Sequence, residues 1–383
     1  MTAQDINAAK MAGKQVDKLL GVPIVIGQPK EPDPNDVPVD VYEEMAKRDG
    51  TFEGKEELIE TDMAMKPAIL AAMTAIHERW ERGVGLAGMS TGYWQLDKAL
   101  DGLQLGRTYV IGARSGHGKT IFSINLSINV ASQRHPVLYF SMEMPRNQVV
   151  TWSLFSQSGV SSNRLKIHKL RREDWAELTV AAARLSEMPF RWDDTCGLTI
   201  EEIEERIAKR TTHRPPGTEP VKLVVIDHAL LIRATNQRAP RREQMIHITK
   251  TIKEIAKRRN VAMVALDQIS RALESRSVKD KRPQISDLKE SGSFEEDNDA
   301  VLLLYRADKY ERDRNKHTHE MEVIMPKIRD GQESYAKLRF TGDCYRVDNL
   351  EEGDAPSDVQ DDELPVGYTP PPRHWQESQE ERR

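Results

Sequence analysis

Short apolar runs punctuate the middle of the chain at Thr108–Gly112, Val137–Ser141, Leu223–Ile226, Val261–Leu266 and Ala300–Tyr305. They are rich in β-formers, and helical patterns separate the first four. That alternation predicts an α/β fold with a mostly parallel central sheet and helices on both faces. Two further runs, Met321–Lys327 and Ala336–Phe340, read as antiparallel strands at one edge. Upstream, Ile69, Met73, Ile76 and Trp80 recur at three or four residues, the spacing of a helix over 60–82 that the glycines at 83, 85 and 88 end. Residues 1–20 carry a weaker helical stripe of Ile6, Met11, Val16, Leu19 and Leu20. The stretch QPKEPDPNDVPVD that follows is too polar and Pro-rich to bury a core, and reads as a linker. The last 33 residues hold PPP, DD and EE runs without periodicity and read as a disordered tail. The expected organisation is an N-terminal extension over 1–59, a linker helix over 60–86, a catalytic domain over 87–349 and an acidic tail over 350–383.

Composition narrows the class. Of the 383 residues, 38% are hydrophobic and 31% charged, and no apolar run approaches the roughly 18 residues of a membrane span. Cys196 and Cys344 are the only cysteines and form no C-x-x-C pair, which argues against a disulfide framework or zinc site and for a cytoplasmic setting. The net charge of −5 is unevenly spread. Residues 1–60 hold 7 Lys/Arg against 13 Asp/Glu and residues 351–383 hold 3 against 10, so the segment between them carries +8. A basic middle between acidic ends is compatible with a polyanion-binding core, although many basic domains bind no nucleic acid.

The strongest chemical signal is Ala113-Arg114-Ser115-Gly116-His117-Gly118-Lys119-Thr120, between the run RTYVIG and the helical run TIFSINLSINVAS. A phosphate is held by inward-pointing backbone N–H groups, a helix N-terminus behind it and a cation that reaches the outer phosphates. Gly116 and Gly118 permit the tight backbone. Lys119 is placed for the β- and γ-phosphates of ATP, and Thr120 for Mg²⁺. The usual first glycine is Ala113 here, with Gly112 just before it. A carboxylate near the metal is also required, and Lys222–Asp227 supplies one as an apolar run ending in Asp227, a pattern shared with plain strand ends. Glu143, in FSMEMP, is a candidate to orient the attacking water, or simply a helix-start acid before Pro145. Gln268, closing VAMVALDQ, is a candidate γ-phosphate sensor or a solvated strand end.

Together these segments resemble the C-terminal motor domain of DnaB-type replicative helicases, a RecA-like P-loop NTPase. There Ala commonly opens the phosphate loop. The resemblance runs over about residues 60–349, through LVVIDHALLI (223–232), ALDQISRALESR (265–276), DKRPQISDLKESGSFEEDNDAVLLLYR (280–306) and Lys327-Ile-Arg-Asp-Gly331. It implies Glu143 as catalytic carboxylate, Asp227 as ligand of a Mg²⁺-bound water and Gln268 as the link between nucleotide and DNA-facing loops. Lys327 and Arg329 resemble the pair that reaches into a neighbouring subunit's nucleotide site, which makes the active form a homo-oligomer, a hexameric ring on single-stranded DNA. Channel contacts fall on Arg241 and Arg242, and on Lys289, Glu290 and Gly292 in K-E-S-G, where the family has R-E-S-G. A solvated strand edge explains Lys327 and Arg329 equally well at this level, as a solvated basic face does Arg241 and Arg242.

The chain departs from the family before residue 60. Its extension is too short and too acidic for the family's helical N-terminal domain, which leaves primase recruitment without its usual carrier. The 60–86 helix matches the family's linker helix, which docks on the adjacent subunit. The 1–20 stripe reads either as a frayed terminus or as a contact for a helicase loader or another replisome protein, and a phage or mobile-element source suits so reduced a chain. Two other readings stay open: a RecA/DnaB-like ATPase that binds DNA without unwinding it, and a nucleotide-gated platform whose tails recruit partners.

Overall fold

The computed structural model describes residues 86–276, 281–288 and 297–350, with single helical positions at 69, 73, 74 and 77. The expectations for the extension, the acidic tail, and Lys289, Glu290 and Gly292 lie outside the described residues. Of the expected linker helix, Ile69, Met73, Thr74 and His77 are helical and exposed.

The described chain forms one nine-stranded sheet. Its strands are β1 (Thr108–Ala113), β2 (Val137–Ser141), β3 (Phe190–Asp193), β4 (Leu223–Asp227), β5 (Ala262–Gln268), β6 (Ala300–Tyr305), β7 (Glu320–Ile328), β8 (Ser334–Thr341) and β9 (Arg346–Asn349). In space they follow the order β3-β2-β4-β5-β1-β6-β7-β8-β9. The first six of these are parallel and the last three antiparallel.

The burial patterns account for this division. Every residue of β1, β2, β4 and β6 is buried, as a strand covered on both faces requires. β7 and β8 alternate between buried and half-exposed positions, so only one face meets the core. One face of the sheet packs on Phe122, Leu126 and Val130 of α2 (Lys119–Ser132). The opposite face packs on Ile203 and Ile207 of α6 (Ile200–Ala208) and on Ile248, Ile252 and Ile255 of α7 (Arg241–Arg259). The remaining helices are α1 (Trp94–Leu100), α3 (Arg146–Ser158), α4 (Ser162–Lys166) and α5 (Arg172–Glu187).

The expected sheet, with helices on both faces and an antiparallel edge, is therefore present, and two strands must be added to it. β3 (FRWD) and β9 (RVDN) are four-residue strands at the two edges of the sheet, where one partner and a half-exposed face leave no apolar run to read. No described helix is long and apolar enough to cross a membrane, and both cysteines are free, Cys196 exposed and Cys344 buried.

Candidate nucleotide site

Three candidate residues are the last residues of their strands: Ala113 of β1, Asp227 of β4 and Gln268 of β5. Strand register sets them side by side, with Ala113 opposite Gln268 and Ser141 opposite Asp227. Two residues past Ser141 stands Glu143. Its turn is fixed at both ends, because Met142 N donates to the Asp227 carbonyl (2.8 Å) and Ser141 Oγ donates to the Met144 carbonyl (2.7 Å). Parallel strands whose order reverses open a crevice at their C-terminal ends, and Ala113, Glu143 and Gln268 line it.

The loop between β1 and α2 holds positive φ at Gly116 (80°) and Gly118 (96°). A side chain at Gly118 would be doubly obstructed, since its Cβ would lie 2.7 Å from Phe340 Cε2. Gly112, by contrast, sits inside β1 against Leu288 and Leu303, one residue before the strand ends at Ala113. α2 has no acidic residue in its first turn, which leaves the positive end of the helix open to an anion.

Asp227 is fully buried. Its Oδ2 accepts from Thr120 Oγ1 (2.8 Å) and from Tyr139 OH (3.2 Å), and Tyr139 OH also meets Ser123 Oγ at 2.8 Å. Burial pushes the Tyr139 hydroxyl well above its ordinary range, so it stays a donor. The other oxygen, Asp227 Oδ1, has no hydrogen-bond partner among the described residues. Burial raises the Asp227 carboxyl, while Lys119 and the Thr120 hydrogen bond act against that rise. Ligating atoms of Glu143, Asp227 and His228 lie within 4.8 Å of one another. A buried carboxylate oxygen with no donor, next to a threonine hydroxyl, fits a divalent cation and its water shell.

Thr120, Glu143 and His228 line a cavity of about 460 Å³ together with Lys119, Gln268 and loop residues 113–116 and Gly118, and Asp227 lies buried behind Thr120. The cavity shows residues that the sequence reading missed: Trp152, His228, Arg306, Lys309 and Phe340. His228 Nδ1 stands 3.2 Å from Glu143 Oε2. The Arg306 guanidinium carbon lies over the Phe340 ring, 3.7 Å from its centroid. Arg306 closes the apolar run of β6, so the strand-tip rule that picked out Asp227 and Gln268 was available to find it.

His117 faces away from the cavity and is buried. Its Nδ1 accepts from Arg306 N (3.2 Å), and its ring packs beside Tyr305 and Tyr310. Burial, then the charges of Arg306 and Lys309, push its pKa down to about 4. Between pH 6.5 and 4 the unfolded chain takes up a proton that folded His117 refuses. Stability is thus present above this window and lost as pH falls through it. Urea unfolding between pH 4 and 7 should show His117→Gln losing roughly 3 kcal/mol less than the parent over this window.

Other candidates lie apart from the cavity. Lys327 is in β7 opposite Val301, at the end of the sheet where β1 starts. Arg329 follows it, 57% exposed, and donates to Asp299 Oδ1 at 2.9 Å. Asp299 is buried and also accepts from Thr108 N and Lys253 Nζ. Burial would raise its carboxyl, but Arg329, Thr108 and Lys253 outweigh that and hold it low. Arg241 and Arg242 open α7 and both are exposed, and Arg241 Nη2 donates to the Leu230 carbonyl (2.6 Å).

Comparisons with known proteins follow the same lines. Residues 88–349 match the family model of the DnaB-like helicase C-terminal domain. The replicative DNA helicase DnaC of Bacillus subtilis is 32% identical over 289 residues, 75% of this chain and 62% of the relative. The replicative DNA helicase DnaB of Pasteurella multocida is 36% identical over 281 residues, 73% of this chain and 58% of the relative. The chain thus spans less than two thirds of the length of these relatives. Among solved structures, one described as an ATPase domain superposes with a TM-score of 0.69 at 27% identity, covering 76% of this chain and all of that one. A DnaB-like replicative helicase, described with its interactions with primase, gives 0.67 at 25% identity over 91% of this chain and 77% of that one.

Proposed function

Because the chain belongs to the DnaB-like helicase C-terminal domain family and has its RecA-like ATPase fold, we propose that it is an ATP-driven DNA helicase. It assembles as a hexameric ring and translocates on single-stranded DNA during replication in the cytoplasm. The observation that carries this reading is the division of the site. Lys119, Thr120, Asp227, Glu143 and Gln268 meet at one end of the sheet, while Lys327 and Arg329 stand at the other, out of reach of their own cavity.

In this reading Lys119 and the loop amides other than that of His117, which donates to the Arg114 carbonyl, hold the phosphates, and Ile121, Trp152 and Phe340 wall the base. Thr120 and Asp227 would hold Mg²⁺, which would neutralise phosphate charge. Glu143, with His228 Nδ1 3.2 Å away, orients water in line with the terminal phosphate. Gln268 senses that phosphate and passes its loss to the DNA-facing loops. Arg329 and Lys327 of the next subunit face the developing charge.

Oligomerisation has support in exposed apolar groups. Ile69 and Met73 of the linker helix are exposed. Leu165, Ile167 and Trp175 are exposed around the Arg164–Asp174 ion pair, with Trp175 60% exposed. A neighbour's linker helix over this patch would cover both. Arg241 and Arg242 occupy the first turn of α7, where the helix dipole disfavours cations, so their placement suits a phosphate backbone in the channel better than it suits the helix.

Strand displacement on a forked duplex tests the reading. Unwinding that requires ATP, single-stranded DNA and an intact Lys119 is expected. An assembled ring that hydrolyses ATP on DNA without displacing a strand would favour the ATPase that binds DNA without unwinding it.

A further inference from the structure

The cavity contains a cation that the assigned roles leave unused. Lys309 ends the short 3₁₀ turn Ala307–Lys309 between β6 and β7, and lines the cavity with Lys119 and Thr120. Its Nζ stands 3.6 Å from where a Cβ on Gly116 would be, so the ammonium lies directly against the phosphate loop.

The turn is held from both sides. Arg306 N donates to His117 Nδ1 of the loop, and the Asp308 carboxylate accepts from Thr318 N (2.9 Å) and His319 N (3.0 Å). Nearby acids are committed elsewhere: Asp308 to those amides and Glu274 to Arg114. Among the described residues the Lys309 ammonium meets no hydrogen-bond acceptor and no carboxylate. Burial and the charge of Arg306 both lower its pKa. An ammonium at the cavity rim beside another cation, with no carboxylate against it among the described residues, is an arrangement that an anion in the cavity relieves.

We propose that Lys309 is a second phosphate-binding lysine, which contacts the phosphate chain of the bound nucleotide from the same subunit that supplies Lys119. The inference rests on the loop's being a nucleoside-phosphate site, and it adds a charge contributed in cis, distinct from Arg329 in trans. Each subunit then holds nucleotide, and the diphosphate product, before any neighbour completes the site.

Calorimetric titration of the full chain with inorganic pyrophosphate and with ADP tests it. Lys309→Ala and Lys309→Gln should each weaken both ligands by about tenfold, the loss of one charge-assisted hydrogen bond, while Lys309→Arg stays close to the parent. Unchanged melting of the ligand-free variants shows that the fold is kept. Parental affinity for both ligands in the Ala and Gln variants would overturn the assignment. So would weakened ADP with unchanged pyrophosphate, which would move Lys309 to the base or sugar. If the parent chain bound neither ligand, the nucleotide reading would fail first.

Discussion

Glu143→Gln should bind ATP as the parent chain does and turn it over roughly a hundred to ten thousand times more slowly, the range for loss of a positioned general base. The substitution keeps shape and removes charge. Glu143 is exposed at the cavity, on a turn fixed by Met142 N and Ser141 Oγ rather than by its own side chain. The turn, and with it the binding surface, should therefore survive. His228 remains beside the amide. Nucleotide affinity by titration and phosphate release under saturating ATP separate the two effects. A variant that hydrolyses at the parental rate removes Glu143 from the chemistry and favours a nucleotide-gated platform.

Arg329→Ala carries the second large effect. Arginines that reach a transferring phosphoryl group from a neighbouring molecule contribute about a thousand- to a hundred-thousand-fold to turnover, and a loss towards the lower end of that range is expected. The competing explanation is structural, because Arg329 is paired with a buried carboxylate. The geometry decides between them. Asp299 keeps Thr108 N and Lys253 Nζ when Arg329 is removed, so no buried charge is stranded. Arg329 itself is largely exposed, where water and salt screen an ion pair and leave it little weight in stability. Thermal melting of the ligand-free variant should therefore stay near that of the parent while turnover collapses. Melting that fell steeply with turnover would mark Arg329 as a structural residue.

Much of this arrangement was legible from the chain alone, for a specific reason. Ala113, Asp227 and Gln268 end apolar runs, and in a parallel sheet buried on both faces such run ends are the C-terminal tips where a crevice opens. What stayed hidden lacks that signal. β3 and β9 are edge strands whose four residues need no apolar run. Tyr139 reads as one more core aromatic, and only its hydroxyl's approach to Asp227, 88 residues away, gives it a part in the site. Phe340 and Lys309 reach the cavity from the antiparallel edge, far along the chain from the loop, and no spacing rule connects them to it. The far placement of Arg329 was legible only as a resemblance. Its separation from its own subunit's cavity comes from the register of β7 on β6.

That separation makes the central claim testable in one mixing experiment. Lys119→Ala lacks a phosphate lysine but carries Arg329, and Arg329→Ala lacks the arginine but carries Lys119. ATP turnover of the two variants combined should rise above that of either alone, because subunits of one kind complete sites on the other at shared interfaces. A mixture that shows no more than the mean of its two components would contradict a nucleotide site built between neighbouring copies of this chain.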